Sequence, residues 1–234
     1  DSDLFGTLKK RDILLHHPFQ TFKTVIDFIR NAAEDPDVVV IKQTIYRAGM
    51  TSELMEALIS AANKGKEVIV IVELKARFDE EQNIDWAQQL EQAGAQVVYG
   101  VMGLKTHAKL ALVIRRENGV FRYYCHLGTG NYHPTTTKFY TDFGLLTAHP
   151  QITSEVNEVF LHLTKPKKLD HLWLAPFTLH RHLIRAILNE IRIARQGRPA
   201  RIVAKMNSLI DESVIRALYL ASSSGVKIDL IVRG

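Results

Sequence analysis

Hydrophobic positions along this chain switch repeatedly between a helical and an extended rhythm. In Phe22–Ala33 (FKTVIDFIRNAA) apolar residues recur at helical spacing and stop at Asp35-Pro36, which predicts a helix. Val38–Ile41 is a short apolar run of strand type. Ser52–Ala62 (SELMEALISAA) predicts an amphipathic helix, with Thr51 or Ser52 as its cap and Lys64-Gly65 as its stop. Val68–Leu74 (VIVIVEL) is β-branched with almost no alternation, the pattern of a strand covered on both faces. Asn83–Ala93 reads as a helix ending at Gly94. Gln96–Tyr99 and Ala108–Ile114 read as strands, and a hairpin over Glu117-Asn118-Gly119 leads into Phe121–His126. Strands alternating with helices predict an α/β fold, a largely parallel sheet with helices on both faces. The hairpin makes that sheet mixed.

Thr164–Asp170 (TKPKKLD) gathers three lysines and a proline between apolar segments and reads as a linker, dividing the chain into domains 1–168 and 169–234. Beyond it, Leu179–Arg195 is a long basic amphipathic helix ended by Gln196-Gly197-Arg198-Pro199. Arg201–Lys205, Ser213–Ser222 and Lys227–Val232 then read strand, helix, strand. This stretch repeats an earlier one. A shift of 160 positions lays Leu58 on Leu218, Ala61 on Ala221, Gly65 on Gly225 and Val72 on Val232, and a gap of three lays Lys42 on Lys205. The second copy stops at its second strand, so the expectation is a fragment carrying one domain and the start of a similar one.

Composition excludes some classes. With 46% hydrophobic residues, 24% charged, and only 13 glycines and 7 prolines in 234 residues, the chain is neither disordered nor collagenous. The single cysteine, Cys125, permits no internal disulfide and points to a reducing, cytoplasmic compartment. No apolar run reaches the ~18 residues of a membrane span, and Asp1-Ser2-Asp3 does not begin a signal peptide. A net charge of +5 suits an acidic partner without choosing one.

Candidate chemistry concentrates at Lys105-Thr106-His107-Ala108-Lys109-Leu110, followed about twenty residues later by Gly128-Thr129-Gly130-Asn131. Two residues apart on a strand, His107 and Lys109 share a side, placing an imidazole beside a fixed cation. H-x-K alone is commonly structural. The Gly-Thr-Gly-Asn turn adds backbone N–H groups, a hydroxyl and an amide suited to a phosphoryl group. A neutral imidazole is a competent nucleophile toward phosphorus, and cationic donors stabilise the equatorial oxygens. Arg47, Arg77 and Arg233 each lie just beyond a predicted strand's carboxyl end, where α/β sheets place ligands. Tyr140 and Asp142 lie in an aromatic segment that also suits core and a capped turn. Lys165, Lys167 and Lys168 read as solvated linker, and His16-His17 before Pro18 as a turn. No cysteine ligand pair, H-E-x-x-H, P-loop or G-x-G-x-x-G occurs.

The segments Arg11–Phe19 (RDILLHHPF), Ile41–Arg47 (IKQTIYR), Val72–Glu81 (VELKARFDEE), Gly103–Leu110 (GLKTHAKL) and His126–Tyr132 (HLGTGNY) resemble the C-terminal half of the long-chain bacterial polyphosphate kinases. The resemblance implies tandem phospholipase D-like α/β/α domains, the first complete and the second begun. It implies ATP:polyphosphate phosphotransfer, reversible, through a phosphohistidine at His107, with Lys109, Lys105, Asn131 and Asp142 as the candidate catalytic company. Tyr140 and Arg233 match ATP-binding positions of that family, and Arg47 and Arg77 match positions associated with Mg²⁺. An arginine cannot ligate a cation, so those two are expected to hold phosphate or water around a Mg²⁺–nucleotide. Expected partners are ATP, ADP and inorganic polyphosphate rather than nucleic acid. The full-length protein is expected to be a homo-oligomer, and peripheral membrane association is left open. Phospholipase D enzymes usually follow the H-x-K lysine with four residues and then an aspartate, and at that place this chain has Ile114. That departure counts against the alternative of a phospholipase D-like phosphodiesterase. A non-catalytic polyanion-binding module is the other alternative. The second histidine and the N-terminal regions expected of the family lie outside this chain, so the fragment is expected to be inactive alone.

Overall fold

The computed structural model describes residues 3–49, 52–73, 80–100, 105–163 and 169–233, and these divide into two compact units, 1–171 and 172–234. The first unit runs α1 (Leu4–Leu8), β1 (Ile13–His17), α2 (Lys23–Glu34), β2 (Val38–Ile45), α3 (Glu53–Asn63), β3 (Glu67–Val72), α4 (Glu80–Gln92), β4 (Gln96–Tyr99), β5 (Lys109–Glu117), β6 (Val120–Gly128), a 3-10 turn (Thr136–Lys138), β7 (Asp142–Thr147) and α5 (Pro150–Leu161). Helix α3 starts and stops where its capping residues require. Ser52 accepts a hydrogen bond from the Met55 N–H at the start of α3, and Gly65, with φ +79°, turns the chain out of it. Asn118 and Gly119, both at positive φ, close the β5–β6 hairpin, as two-residue hairpin turns require.

The sheet order is β1-β7-β6-β5-β2-β3-β4. It is mixed, as expected. Five of the seven strands point the same way, but only the β2–β3 and β3–β4 pairings are parallel ladders. The parallel share of the pairing is thus smaller than the strand–helix alternation suggests. The reason is that β5 and β7 run back against their neighbours. Alternating residues of the buried strands feed opposite faces. Val68, Val70 and Val72 join the core under α1, α2, α3 and α4. On the other face the Lys42 Nζ donates to Asn157 of α5 at 2.8 Å. Helices therefore cover both faces. His16 and His17 end strand β1 rather than forming a turn, because β7 pairs with them along the whole strand.

The second unit comprises α6 (Leu179–Arg195), β8 (Arg201–Met206), α7 (Glu212–Ser223) and β9 (Lys227–Val232). The internal repeat is visible in its details: Asp211 caps α7 as Ser52 caps α3, and Gly225 has φ +91°. Sheet register corrects one correspondence. Met206 pairs with Val232 as Ile45 pairs with Val72, so Lys205 stands opposite Ile231 in the place that Thr44, not Lys42, holds in the first copy. The Arg233 N–H bonds the Met206 carbonyl just as the Glu73 N–H bonds that of Ile45. The expected linker lysines, 165, 167 and 168, lie outside the described residues.

Candidate active site

One edge of the sheet collects the carboxyl ends of β1, β2, β3, β4 and β6 together with the starts of β5 and β7. Most of the sequence-predicted site falls there. His107 lies in the extended segment leading into β5, and Lys109 is the first residue of that strand. The two side chains share a side, as the spacing predicts. The Lys109 Nζ is 3.0 Å from each ring nitrogen of His107 and donates to the His107 carbonyl at 2.6 Å. The His107 ring meets the Tyr46 ring edge-on at 4.8 Å, and Lys109 and Arg47 lie 5.2 and 5.5 Å from that ring's centre.

Electrostatics follow from this packing. Partial burial lowers the pKa of the His107 imidazole, and the charges of Lys109, Lys105 and Arg47 lower it further. The ring is therefore neutral at pH 7 although one side is open to solvent. Burial also lowers the Lys109 ammonium to about 8, with Asp142 opposing the shift and Arg47 adding to it. Lys109 thus remains charged at neutral pH.

The Gly-Thr-Gly-Asn turn works differently from its sequence reading. The Thr129 hydroxyl donates to Asp142 at 2.8 Å and accepts from the Phe143 N–H, and the Thr129 N–H donates to the Phe143 carbonyl. Thr129 is therefore used to tie the turn to β7 and is not aimed at an anion. Gly130 is required by close approach, because a Cβ there would lie 2.3 Å from the Asp142 carboxylate. Asn131 keeps a buried amide oxygen without a hydrogen-bond partner among the described residues. Beneath the turn is a cavity of about 10 Å³, room for about one water, bordered by His17, His126, Asn131 and Asp142. The buried Nε2 atoms of His17 and His126 lie 3.3 and 2.7 Å from where a Gly144 Cβ would be. His126 Nδ1 is bonded to the Tyr132 hydroxyl at 2.7 Å, and burial pushes its imidazole down to about 3.

Three positioning residues were not singled out by the sequence reading, although Thr44 and Glu73 lie inside the IKQTIYR and VELKARFDEE segments. Glu73, buried just past β3, accepts the Thr106 N–H at 2.8 Å and so fixes the residue before His107. The Asn83 amide donates to the carbonyls of Tyr46 and Glu73. The Thr44 hydroxyl donates to the Ala108 carbonyl at 2.7 Å and accepts from the Leu110 N–H at 2.9 Å, clamping the backbone on both sides of Lys109. An acid ending a β-branched run was the visible signal for Glu73. Thr44 lies within IKQTIYR, but its own residue type gives no signal of a positioning role.

Other predicted residues fall as follows. Tyr140 is exposed between the 3-10 turn and β7, and Lys105 is exposed ahead of His107. Arg233 belongs to the second unit. Arg77 lies outside the described residues. Among the described residues no group of three His, Cys, Asp or Glu side chains could hold a metal ion. The cations around His107 fit phosphate and do not fit a protein-held Mg²⁺.

Family models of the polyphosphate kinase C-terminal domains 1 and 2 match residues 3–169 and 172–234. The chain belongs to the polyphosphate kinase family. It is 57% identical over its whole length to the polyphosphate kinase of Neisseria meningitidis serogroup A, of which it covers 34%. It superposes on the crystal structure of polyphosphate kinase from Porphyromonas gingivalis with a TM-score of 0.87 at 38% identity, covering 97% of this chain and 38% of that one. The phospholipase D family member Nuc of Salmonella typhimurium matches 64% of the chain and 91% of its own at 12% identity, with a TM-score of 0.50, a likeness of fold alone. The family and the phospholipase D-like fold expected from the motifs are thus both found. The chain spans about a third of the length of the curated relatives it matches. No helix among the described residues is long and apolar enough to cross a membrane.

Proposed function

We propose that this chain supplies the phosphoryl-accepting half of an ATP:polyphosphate phosphotransferase, with His107 as the nucleophile. The observation that carries the reading is the neutral His107 ring held 3.0 Å from the Lys109 ammonium. A ring nitrogen attacks the γ-phosphorus, an N–P bond forms, and the bond from phosphorus to the bridging oxygen breaks with its electron pair leaving on ADP. In the second step a terminal oxygen of polyphosphate attacks the same phosphorus and the N–P pair returns to the ring. The reverse sequence makes ATP. Lys109 and Arg47 balance charge on the equatorial oxygens, as preorganised cationic donors do. Lys105 adds to that field, Asn131 completes the donor set, and Asp142 keeps Lys109 protonated and the turn in place. Tyr140 and Arg233 are read as nucleotide contacts and Arg77 as a phosphate contact, by likeness to the family. Mg²⁺ is read as arriving with the nucleotide. The same family likeness supports ATP, ADP and polyphosphate as ligands and an oligomeric full-length protein.

Incubation of the full-length protein with γ-labelled ATP should give acid-labile, base-stable label, and His107→Ala should abolish both label and polyphosphate synthesis. Normal synthesis by that variant refutes the assignment. Because the chain spans about a third of the length of the relatives it matches, the isolated 234 residues are expected not to turn over ATP. Measurable ADP release from them in a coupled assay would refute that expectation.

A further inference from the structure

Helix α6 in the second unit presents its charges in a narrow line. Arg181, Arg185, Leu188, Arg192 and Arg195 are all exposed. Their spacing of four, three, four and three residues keeps them within an arc of about 80° on a helix of 3.6 residues per turn, over a length of about 21 Å. The helix's acid, Glu190, lies about 180° round from Arg181 and accepts the Arg201 N–H. Among the described residues none of the four arginines enters an ion pair. Arg192 makes one hydrogen bond, to the Asn189 side chain.

Helix electrostatics account for only half of this line. Arg192 and Arg195 lie in the last turn, where the helix dipole favours cations. Arg181 lies in the first turn, where the dipole opposes a cation and where α6 carries no acid. Arg185 follows it one turn on. An anion lying along the face would offset the cost of that placement.

We propose that this arginine line is a binding track for linear inorganic polyphosphate. The choice of ligand rests on the functional reading above, and the geometry narrows it. The track is longer than the triphosphate of one nucleotide, so a polymer is needed to fill it. Single-stranded nucleic acid is held by aromatic platforms among the basic residues, and here the line holds only Leu188. A membrane-surface helix offers an apolar face to lipid, whereas Ile187 and Ile191 of α6 are already buried against Val214, Leu218 and Ala221 of α7. Arginine forks spaced along one line match a chain carrying an anionic group at every unit and no bases.

The test is direct binding of labelled long-chain polyphosphate to the full-length protein at several salt concentrations, without ATP. The triple variant R181A/R185A/R192A removes exposed side chains and adds good helix formers, so the fold is kept. Its affinity should fall roughly tenfold or more, and its log–log salt dependence should become shallower by about 2–3. The phosphoenzyme formed from labelled ATP should be unchanged. Unaltered affinity and salt slope overturn the track. So does equally tight binding of an oligonucleotide of equal charge, or of anionic vesicles, that is lost in the same variant. Absence of phosphoenzyme from the unaltered protein would instead overturn the kinase reading, because binding and labelling are measured separately.

Discussion

Lys109→Met is the perturbation with the most to reveal, because Lys109 acts on His107 and on the phosphoryl group together. Its Nζ stands 3.0 Å from either ring nitrogen, and Lys109 is buried. Two unit charges at that distance interact by roughly 1.4 kcal/mol in bulk water and roughly 5.5 kcal/mol at an effective dielectric of 20. That is the scale of the repulsion between Lys109 and a protonated His107, whereas a preorganised cationic donor to the charge developing on the phosphoryl group is worth roughly 2.7–4 kcal/mol, or about 10²–10³ in rate. The pH profile gives the sharper signature. In the unaltered protein, labelling should rise as His107 loses its proton below its ordinary range and fall as Lys109 deprotonates near pH 8. Lys109→Met should slow labelling about 10²–10³-fold, move the acid limb to higher pH and abolish the alkaline limb. Lys109→Arg should restore a charge that does not titrate, and with it much of the rate. Rapid-quench labelling with γ-labelled ATP across both limbs measures all of this. An alkaline limb near 8 that survives in Lys109→Met would refute the assignment of that limb and of the cation's role.

Arg47→Ala should cost about 10²–10³ in turnover. Arg30→Ala should leave turnover nearly unchanged, since Arg30 is engaged at the surface with Asp27 and Glu53; equal losses at the two would mean general charge rather than a site. His126 is buried with its pKa near 3, below the unfolded value of about 6.5. The unfolded state therefore takes the proton first: stability is fully present above about 6.5 and falls as pH drops toward 3, by up to about 1.4 kcal/mol per pH unit. Urea unfolding at a series of pH values checks this, and an unchanged slope in His126→Gln would assign it elsewhere. Gly130→Ala must push the Asp142 carboxylate aside, so the Thr129 bond should be lost and the alkaline limb of labelling should move below 8. A limb left in place would show that Asp142 does not support Lys109.

Local sequence was enough for the elements whose cause is local. α6 and β9 have the bounds read from the sequence, and α2, α3 and β3 agree within a residue or two, because caps, positive-φ glycines and apolar period act over a few neighbours. It also determined that His107 and Lys109 would meet, since strand alternation needs no knowledge of the rest of the chain. Strand β7 escaped that reading because its pairing depends on β1 and β6, more than a hundred and about twenty residues away in sequence. The site divides in the same way. A motif could name the nucleophile, but the hydroxyl of Thr44 and the carboxylate of Glu73 reach the His107 segment only after β2, β3 and β5 assemble. The same assembly committed Thr129 to Asp142 and buried the His126 ring. Which polar group binds a ligand and which is consumed in holding the backbone depends on the partners that packing supplies. Those partners are distant in sequence, and only the tertiary structure chooses them.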